Sequence, residues 1–131
     1  MDFRLTEEQK LILETVKEFV QKELMPLEPE LQAAELRGEG DRFPDAATVR
    51  RLQLKAKELG LWGINTPEEY GGANLGTTMS ALITMELGKC VVPFTFGGSA
   101  DNILFLANEE QKKEYLIPTI NGERRSCFAL T

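Results

Sequence analysis

The stretch L-G-L-W-G-I-N-T-P-E-E-Y-G-G-A-N-L-G, running from Leu59 to Gly76, separates two segments of helical period and decides how the rest of the chain can be arranged. Gly60 follows the last periodic apolar residue of the first segment, where a left-handed C-cap penalises a Cβ. Leu61, Trp62 and Ile64 then place an apolar cluster inside a connection, so the connection is expected to pack down, with Trp62 buried between helices. Truncating a large core side chain costs about 3–5 kcal/mol, and that is the expectation for Trp62→Ala. Pro67-Glu68-Glu69 can open a short helical turn, because proline fits the first helical position and acids suit its positive end. Gly71-Gly72 closes that turn.

Upstream, Leu5-Thr6-Glu7-Glu8-Gln9 has the form of a capping box, so a helix is expected to start after Thr6. Leu11, Ile12, Val16, Phe19, Val20 and Leu24 recur at three- and four-residue spacing and face a core, until Pro26. A weaker, mostly polar helical pattern lies between Pro29 and Glu35, followed by a turn at Gly38-Glu39-Gly40-Asp41. Phe43-Pro44-Asp45 opens the next helix, with Val49, Leu52, Leu54, Ala56 and Leu59 as its buried positions.

Downstream, Thr77 or Thr78 can cap a helix whose Met79, Leu82, Ile83, Met85 and Leu87 nearly surround it, which predicts burial on more than one side. Another apolar helix is expected from about Ser99 through Leu106. Asn108-Glu109-Glu110-Gln111 is a second capping signature, opening an amphipathic helix with Tyr115 and Leu116 inward and Pro118 as its stop. From Arg125 to Thr131 the chain reads as the start of a β-strand. The fold class is therefore all-α, a helical bundle of about five to six helices over residues 1–124, with a strand beginning at 125–131. A lone strand needs pairing partners, so the chain is expected to be the first part of a longer protein whose sheet begins near residue 125.

Composition excludes several function classes. At 131 residues, 42% hydrophobic and 27% charged, the chain has the make-up of one soluble globular domain. No apolar run approaches the roughly 20 residues of a membrane span, and the opening M-D-F-R-L-T-E-E is acidic where a targeting peptide would be basic, so a cytoplasmic protein is expected. The net charge of −6, with ten acids against five bases in residues 1–40, argues against nucleic acid. The absence of histidine removes the Ser-His-Asp triad and most mixed-ligand zinc sites, so no metal site is expected. Cys90 and Cys127 lack C-x-x-C spacing and read as reduced core thiols. The glycine loop is not a nucleotide fingerprint, because Gly71-Gly72-Ala73-Asn74-Leu75-Gly76 lacks G-x-G-x-x-G spacing and follows no strand.

Three strings in order carry a resemblance: L-T-E-E-Q at Leu5–Gln9, L-G-L-W-G-I-N-T-P-E-E-Y-G-G at Leu59–Gly72, and E-E-Q-K-K-E-Y-L-I-P with the later G-E and C-F-A-L-T between Glu109 and Thr131. Together they resemble the N-terminal region of the acyl-CoA dehydrogenase family, over essentially the whole chain. The resemblance implies an all-helical domain of a flavoenzyme that takes the α-proton and β-hydride of an acyl-CoA thioester and passes the hydride to FAD. It implies a catalytic carboxylate beyond Thr131, so no residue of this chain is assigned as catalytic and the chain alone is expected to be inactive. F-A-L-T is similar to the segment beside the flavin ring and nominates Phe128, Leu130 and Thr131 for cofactor binding. The segment Phe94–Asn102 corresponds to one that borders the acyl tail, which nominates Phe96, Gly97, Ser99 and Ala100, with core packing the competing role for Phe96. The partners implied are an acyl-CoA substrate, electron-transfer flavoprotein or another acceptor, and further subunits in a homotetramer. A reading of a different class is a free-standing helical interaction module that keeps the domain and lacks the chemistry.

Overall fold

Two reciprocal caps start helices where the sequence marks them. The first opens α1 (Glu7–Phe19): the Gln9 N–H donates to Thr6 Oγ1 at 3.2 Å and the Thr6 N–H donates to Gln9 Oε1 at 3.0 Å. This computed structural model describes residues 4–39, 44–127 and 129. Val16 and Phe19 are buried on the inner face of α1, with Ile12 and Leu13 packed against the same core, whereas Leu11 is exposed. Regular α geometry ends before Pro26. A wider π-type turn, Val20–Leu24, carries the chain forward with the Met25 N–H reaching Val20 O, and a tight turn, Met25–Leu27, accommodates the proline. α2 (Glu28–Leu36) follows directly and buries Leu31 and Ala34.

α3 (Ala46–Glu58) begins at Asp45, whose carboxylate accepts the Thr48 N–H at 2.7 Å. Its inward stripe is Val49, Leu52 and Ala56. Leu54 and Leu59, expected inside, are exposed; Leu54 stands about 200° around the helix from Leu52, so one core cannot hold both. The helix stops as Gly60 requires: Gly60 takes a φ of +72°, its N–H meets Lys57 O at 3.1 Å, and the Leu61 N–H meets Ala56 O at 2.8 Å.

That Asp45 bond makes a pH prediction. The Thr48 N–H holds the Asp45 carboxyl below its ordinary range. A carboxylate with a depressed folded value stabilises the fold above its unfolded pKa and loses that contribution as pH falls through the depressed value, below about pH 4. Replacing Asp45 by Asn should flatten the acid limb of a plot of unfolding midpoint against pH and leave the shape of the neutral region unchanged.

α4 (Gly76–Leu87) packs against α1. Neither Thr77 nor Thr78 caps it; Leu75 stands at the N-cap without a side-chain bond. Only one side of α4 is covered, by way of Met79 and Ile83, while Met85 is 66% exposed, so the expectation of burial on more than one side is not met within the described chain. Residues 93–101 then run without regular structure, and the helix expected from Ser99 is reduced to a single turn, α5 (Asn102–Phe105). Gly97 and Gly98 both take positive φ, which is incompatible with a helix starting there.

The second capping box opens α6 (Glu109–Gln111): Asn108 Oδ1 accepts the Gln111 N–H at 2.9 Å and Gln111 Oε1 accepts the Asn108 N–H at 3.2 Å. A π-type turn, Lys112–Leu116, leads into α7 (Ile117–Asn121). Pro118 does not stop this helix. It occupies the first turn of α7, where its missing N–H has no partner to lose, and the left-handed Gly122 makes the stop. Leu116 and Ile120 are buried, whereas Tyr115, expected inward, is exposed, with the Arg124 guanidinium 5.5 Å from its ring centre.

The core joins these elements. Phe19 of α1 lies 5.4 Å from Phe94 and 5.1 Å from Phe96 between ring centres, and Phe94 and Phe96 meet edge to face at 5.6 Å. The irregular segment 93–99 is thus fastened to the first helix. The all-α reading holds, and among the described residues there is no strand. Arg125, Ser126 and Cys127, where a strand was expected to begin, are irregular and exposed, and Phe128, Leu130 and Thr131 lie outside the described residues. No helix among those residues is long and apolar enough to cross a membrane.

Candidate functional site

The connection 59–76 is a folded unit rather than a span. Its short turn, Glu68–Tyr70, ends at left-handed Gly71, and the chain doubles back so that the Ala73 N–H donates to Gly63 O at 3.0 Å and the Leu75 N–H to Ile64 O at 2.8 Å. Two bonds tie this unit to the irregular segment that follows α4. The Gly63 N–H donates to Gly97 O at 3.0 Å, and the buried Thr66 hydroxyl donates to Gly98 O. A backbone with no sheet around it is held in place by a loop 34 residues earlier, counting from Gly63 to Gly97.

Trp62 stands at this junction. It is half-buried rather than enclosed between helices: the indole Nε1–H donates to Ile120 O at 2.8 Å, and the Lys57 ammonium lies 4.1 Å from the ring centre. A Cβ built at Gly97 would stand 2.7 Å from ring carbons Cη2 and Cζ3, and one at Gly98 would stand 2.4 Å from Gly63 N and 2.6 Å from Trp62 Cδ1. Both glycines are therefore required by contact as well as by their positive φ.

Beside Trp62 opens a groove of about 480 Å³. Pro93, Phe94, Thr95, Gly97, Gly98 and Ser99 form one wall; Thr119, Gly122, Arg124, Arg125 and Ser126 form the other; Val49 and Gln53 of α3 reach its end. The lining offers an aromatic floor, exposed glycine backbone, hydroxyls and a basic rim. Among the described residues it has no carboxylate. Such a surface can bind and orient a ligand with apolar and anionic parts.

Of the residues nominated from sequence, Gly97 and Ser99 lie on the groove, and Ala100 is half-buried beyond its lining. Phe96 faces away, 3% exposed in the core against Phe19 and Phe94. Phe128, Leu130 and Thr131 are outside the described residues. Sequence reasoning missed Trp62 as a lining residue, Gly98, and the whole wall 119–126. The Gly97-Gly98 pair after an aromatic-rich run was the available signal for close backbone approach.

Neither cysteine lies on the groove. Cys90 is buried, and burial pushes its thiol up, partly offset by the Val92 N–H and reinforced by the nearby Glu28 carboxylate. Cys127 is exposed, against the expectation of a second core thiol. A maleimide should label Cys127 in the native protein and Cys90 more than about tenfold more slowly, with equal labelling only after unfolding; mass spectrometry of a labelling time course measures it. Among the described residues no group of three His, Cys, Asp or Glu could hold a metal ion.

Residues 6–123 match the family model described as acyl-CoA dehydrogenase, N-terminal domain, and the chain belongs to that family. It is 32% identical to (R)-benzylsuccinyl-CoA dehydrogenase of Thauera aromatica, over all of this chain and 35% of that protein. It is 34% identical to a probable acyl-CoA dehydrogenase of Bacillus subtilis, over 96% of this chain and 20% of that protein, and 34% identical to the short-chain specific acyl-CoA dehydrogenase of Clostridium acetobutylicum, over all of this chain and 33% of that protein. The chain thus spans about a third or less of the length of these relatives.

Proposed function

We propose that residues 1–124 form the helical N-terminal domain, and 125–131 the first strand of a middle β domain, of a cytoplasmic FAD-dependent acyl-CoA dehydrogenase that works as a homotetramer. Electron-transfer flavoprotein or another acceptor would reoxidise it. The observation that supports this reading best is the coincidence of the family match over 6–123 with a groove at 93–99, where the resemblance expects the acyl tail.

The residues described fit one edge of such a site. Gly97 and Gly98 let the backbone close down on Trp62, which keeps the indole at the groove, and Arg124, Arg125 and Ser126 supply donors for the polar end of a ligand. Bound FAD would supply the hydride acceptor for α,β-dehydrogenation. This chain's part is to orient and to exclude water: Phe94 and Trp62 cover the apolar side, and Gly97, Ser99 and Ala100 border the acyl chain. Phe128, Leu130 and Thr131 remain the residues proposed for cofactor contact. The resemblance puts the catalytic base beyond Thr131, and among the described residues no carboxylate lines the groove, so this chain alone is expected to be inactive.

The polypeptide of residues 1–131, purified by itself, should carry little or no FAD, because one edge of a site gives few of the contacts that hold a cofactor. Absorbance near 450 nm per mole of protein, about the flavin maximum, measures this; a yellow, stoichiometric flavoprotein would contradict the proposal. The alternative, a free-standing interaction module, predicts a gene that stops after Thr131. Glu-Pro followed by a Gly-rich turn and alternating strands at that point would favour the enzyme.

A further inference from the structure

The ring of Trp62 is gripped by three separate parts of the chain. Lys57, in the last turn of α3, covers it at 4.1 Å and at the same time donates to Asn121 O at 3.0 Å. The indole Nε1–H of Trp62 donates to Ile120 O at 2.8 Å, at the end of α7. The Gly97 backbone is so close that an added Cβ would stand 2.7 Å from the ring, and one at Gly122 would stand 3.0 Å away. Both segments that meet the six-membered ring of the indole belong to walls of the groove, Gly97 to 93–99 and Gly122 to 119–126.

We propose that Trp62, steadied by Lys57, is a positioning residue that fixes the separation of these walls. It acts as a spacer. Because the Trp62 bond ends on Ile120, the wall it sets is the one that leads through Gly122 toward the residues proposed for cofactor contact, so a shift there moves the acyl chain relative to the flavin. The functional half of this inference rests on the reading of the groove as part of an acyl-CoA dehydrogenase site, and the mechanical half does not.

The test uses the full-length protein encoded by the gene, with Trp62→Phe, which keeps an aromatic spacer but removes the donor, and Lys57→Met beside Lys57→Arg. Amide hydrogen exchange should show that Trp62→Phe lowers protection at Gly63, whose N–H is held by Gly97 O, and in residues 119–124 together, with the rest of the domain unchanged. Butyryl-, octanoyl- and palmitoyl-CoA should then give a kcat about tenfold lower with KM within about twofold, since misplacement of a bound substrate costs turnover more than binding. Lys57→Met should reproduce both effects more weakly, and Lys57→Arg should restore them. Loss of protection in one wall alone, or unchanged exchange in both, overturns the spacer. Wild-type kcat in a Trp62→Phe protein whose walls have loosened overturns its functional role. A wild-type protein that oxidises no acyl-CoA refutes the enzyme reading instead, and the exchange experiment still decides the spacer.

Discussion

Gly98→Ala should destabilise the fold by about 3–4 kcal/mol, enough to leave much of a marginally stable domain unfolded. Two costs combine. Gly98 holds a φ of +77°, which costs an L residue about 1–2 kcal/mol, and its new methyl would stand 2.4 Å from Gly63 N, a backbone atom that cannot step aside without breaking the Gly63–Gly97 hydrogen bond. Other glycines separate the two costs. Gly60 has a φ of +72° with nothing within 4 Å of an added Cβ, so Gly60→Ala should cost about 1 kcal/mol. At Gly72 no positive φ is involved, but a Cβ would stand 1.9 Å from Thr66 O, and the cost should again approach 3 kcal/mol. Urea unfolding of the three variants orders them, and a Gly98→Ala protein no less stable than Gly60→Ala would show that the tie between the loop and segment 93–99 is loose.

Trp62→Ala should cost about 3 kcal/mol, the lower end of the range for truncating a large side chain, because the indole is half-buried and not enclosed. Part of the loss is the Ile120 carbonyl left without its donor, about 1 kcal/mol, and part is the contact with Lys57. The pairing with Gly97 gives a sharper form of the prediction. The three atoms nearest a methyl at position 97 are all Trp62 ring carbons, so Gly97→Ala should be costly in the wild type and should retain mainly its backbone penalty of about 1–2 kcal/mol in the Trp62→Ala background. A double-mutant cycle with no coupling would remove Trp62 from its assigned place.

Much of the fold was legible because it is written in local chemistry. Thr6 with Gln9, and Asn108 with Gln111, are caps whose partners lie three residues away, and Gly60 and Gly71 are left-handed stops that few other residues can make. What failed depends on distant partners. Periodicity says that α4 is apolar nearly all round, but not that Met79, Ile83 and Leu87 find cover while Met85 does not; it cannot tell that Leu11 is turned out while Leu13 packs inward, or that Leu54 and Leu59 stay exposed. The groove was half legible. Gly97 and Ser99 came from family resemblance, whereas Gly98, Trp62 and the wall 119–126 are brought together by hydrogen bonds between residues 32 and 58 positions apart, which no local pattern encodes. Pro118 misled because proline reads as a stop, although in the first turn of a helix it is tolerated.

The central claim is that this helical domain lines one side of an acyl-CoA and flavin site. Its most direct test is an anaerobic titration of the full-length gene product, purified with its cofactor, with octanoyl-CoA and shorter and longer homologues. The account predicts a flavin absorbance that bleaches as one of these thioesters is added, with the fluorescence of Trp62, the single tryptophan of residues 1–131, changing at the same concentrations. A full-length protein that holds no flavin, or whose flavin is untouched by any acyl-CoA, would contradict it.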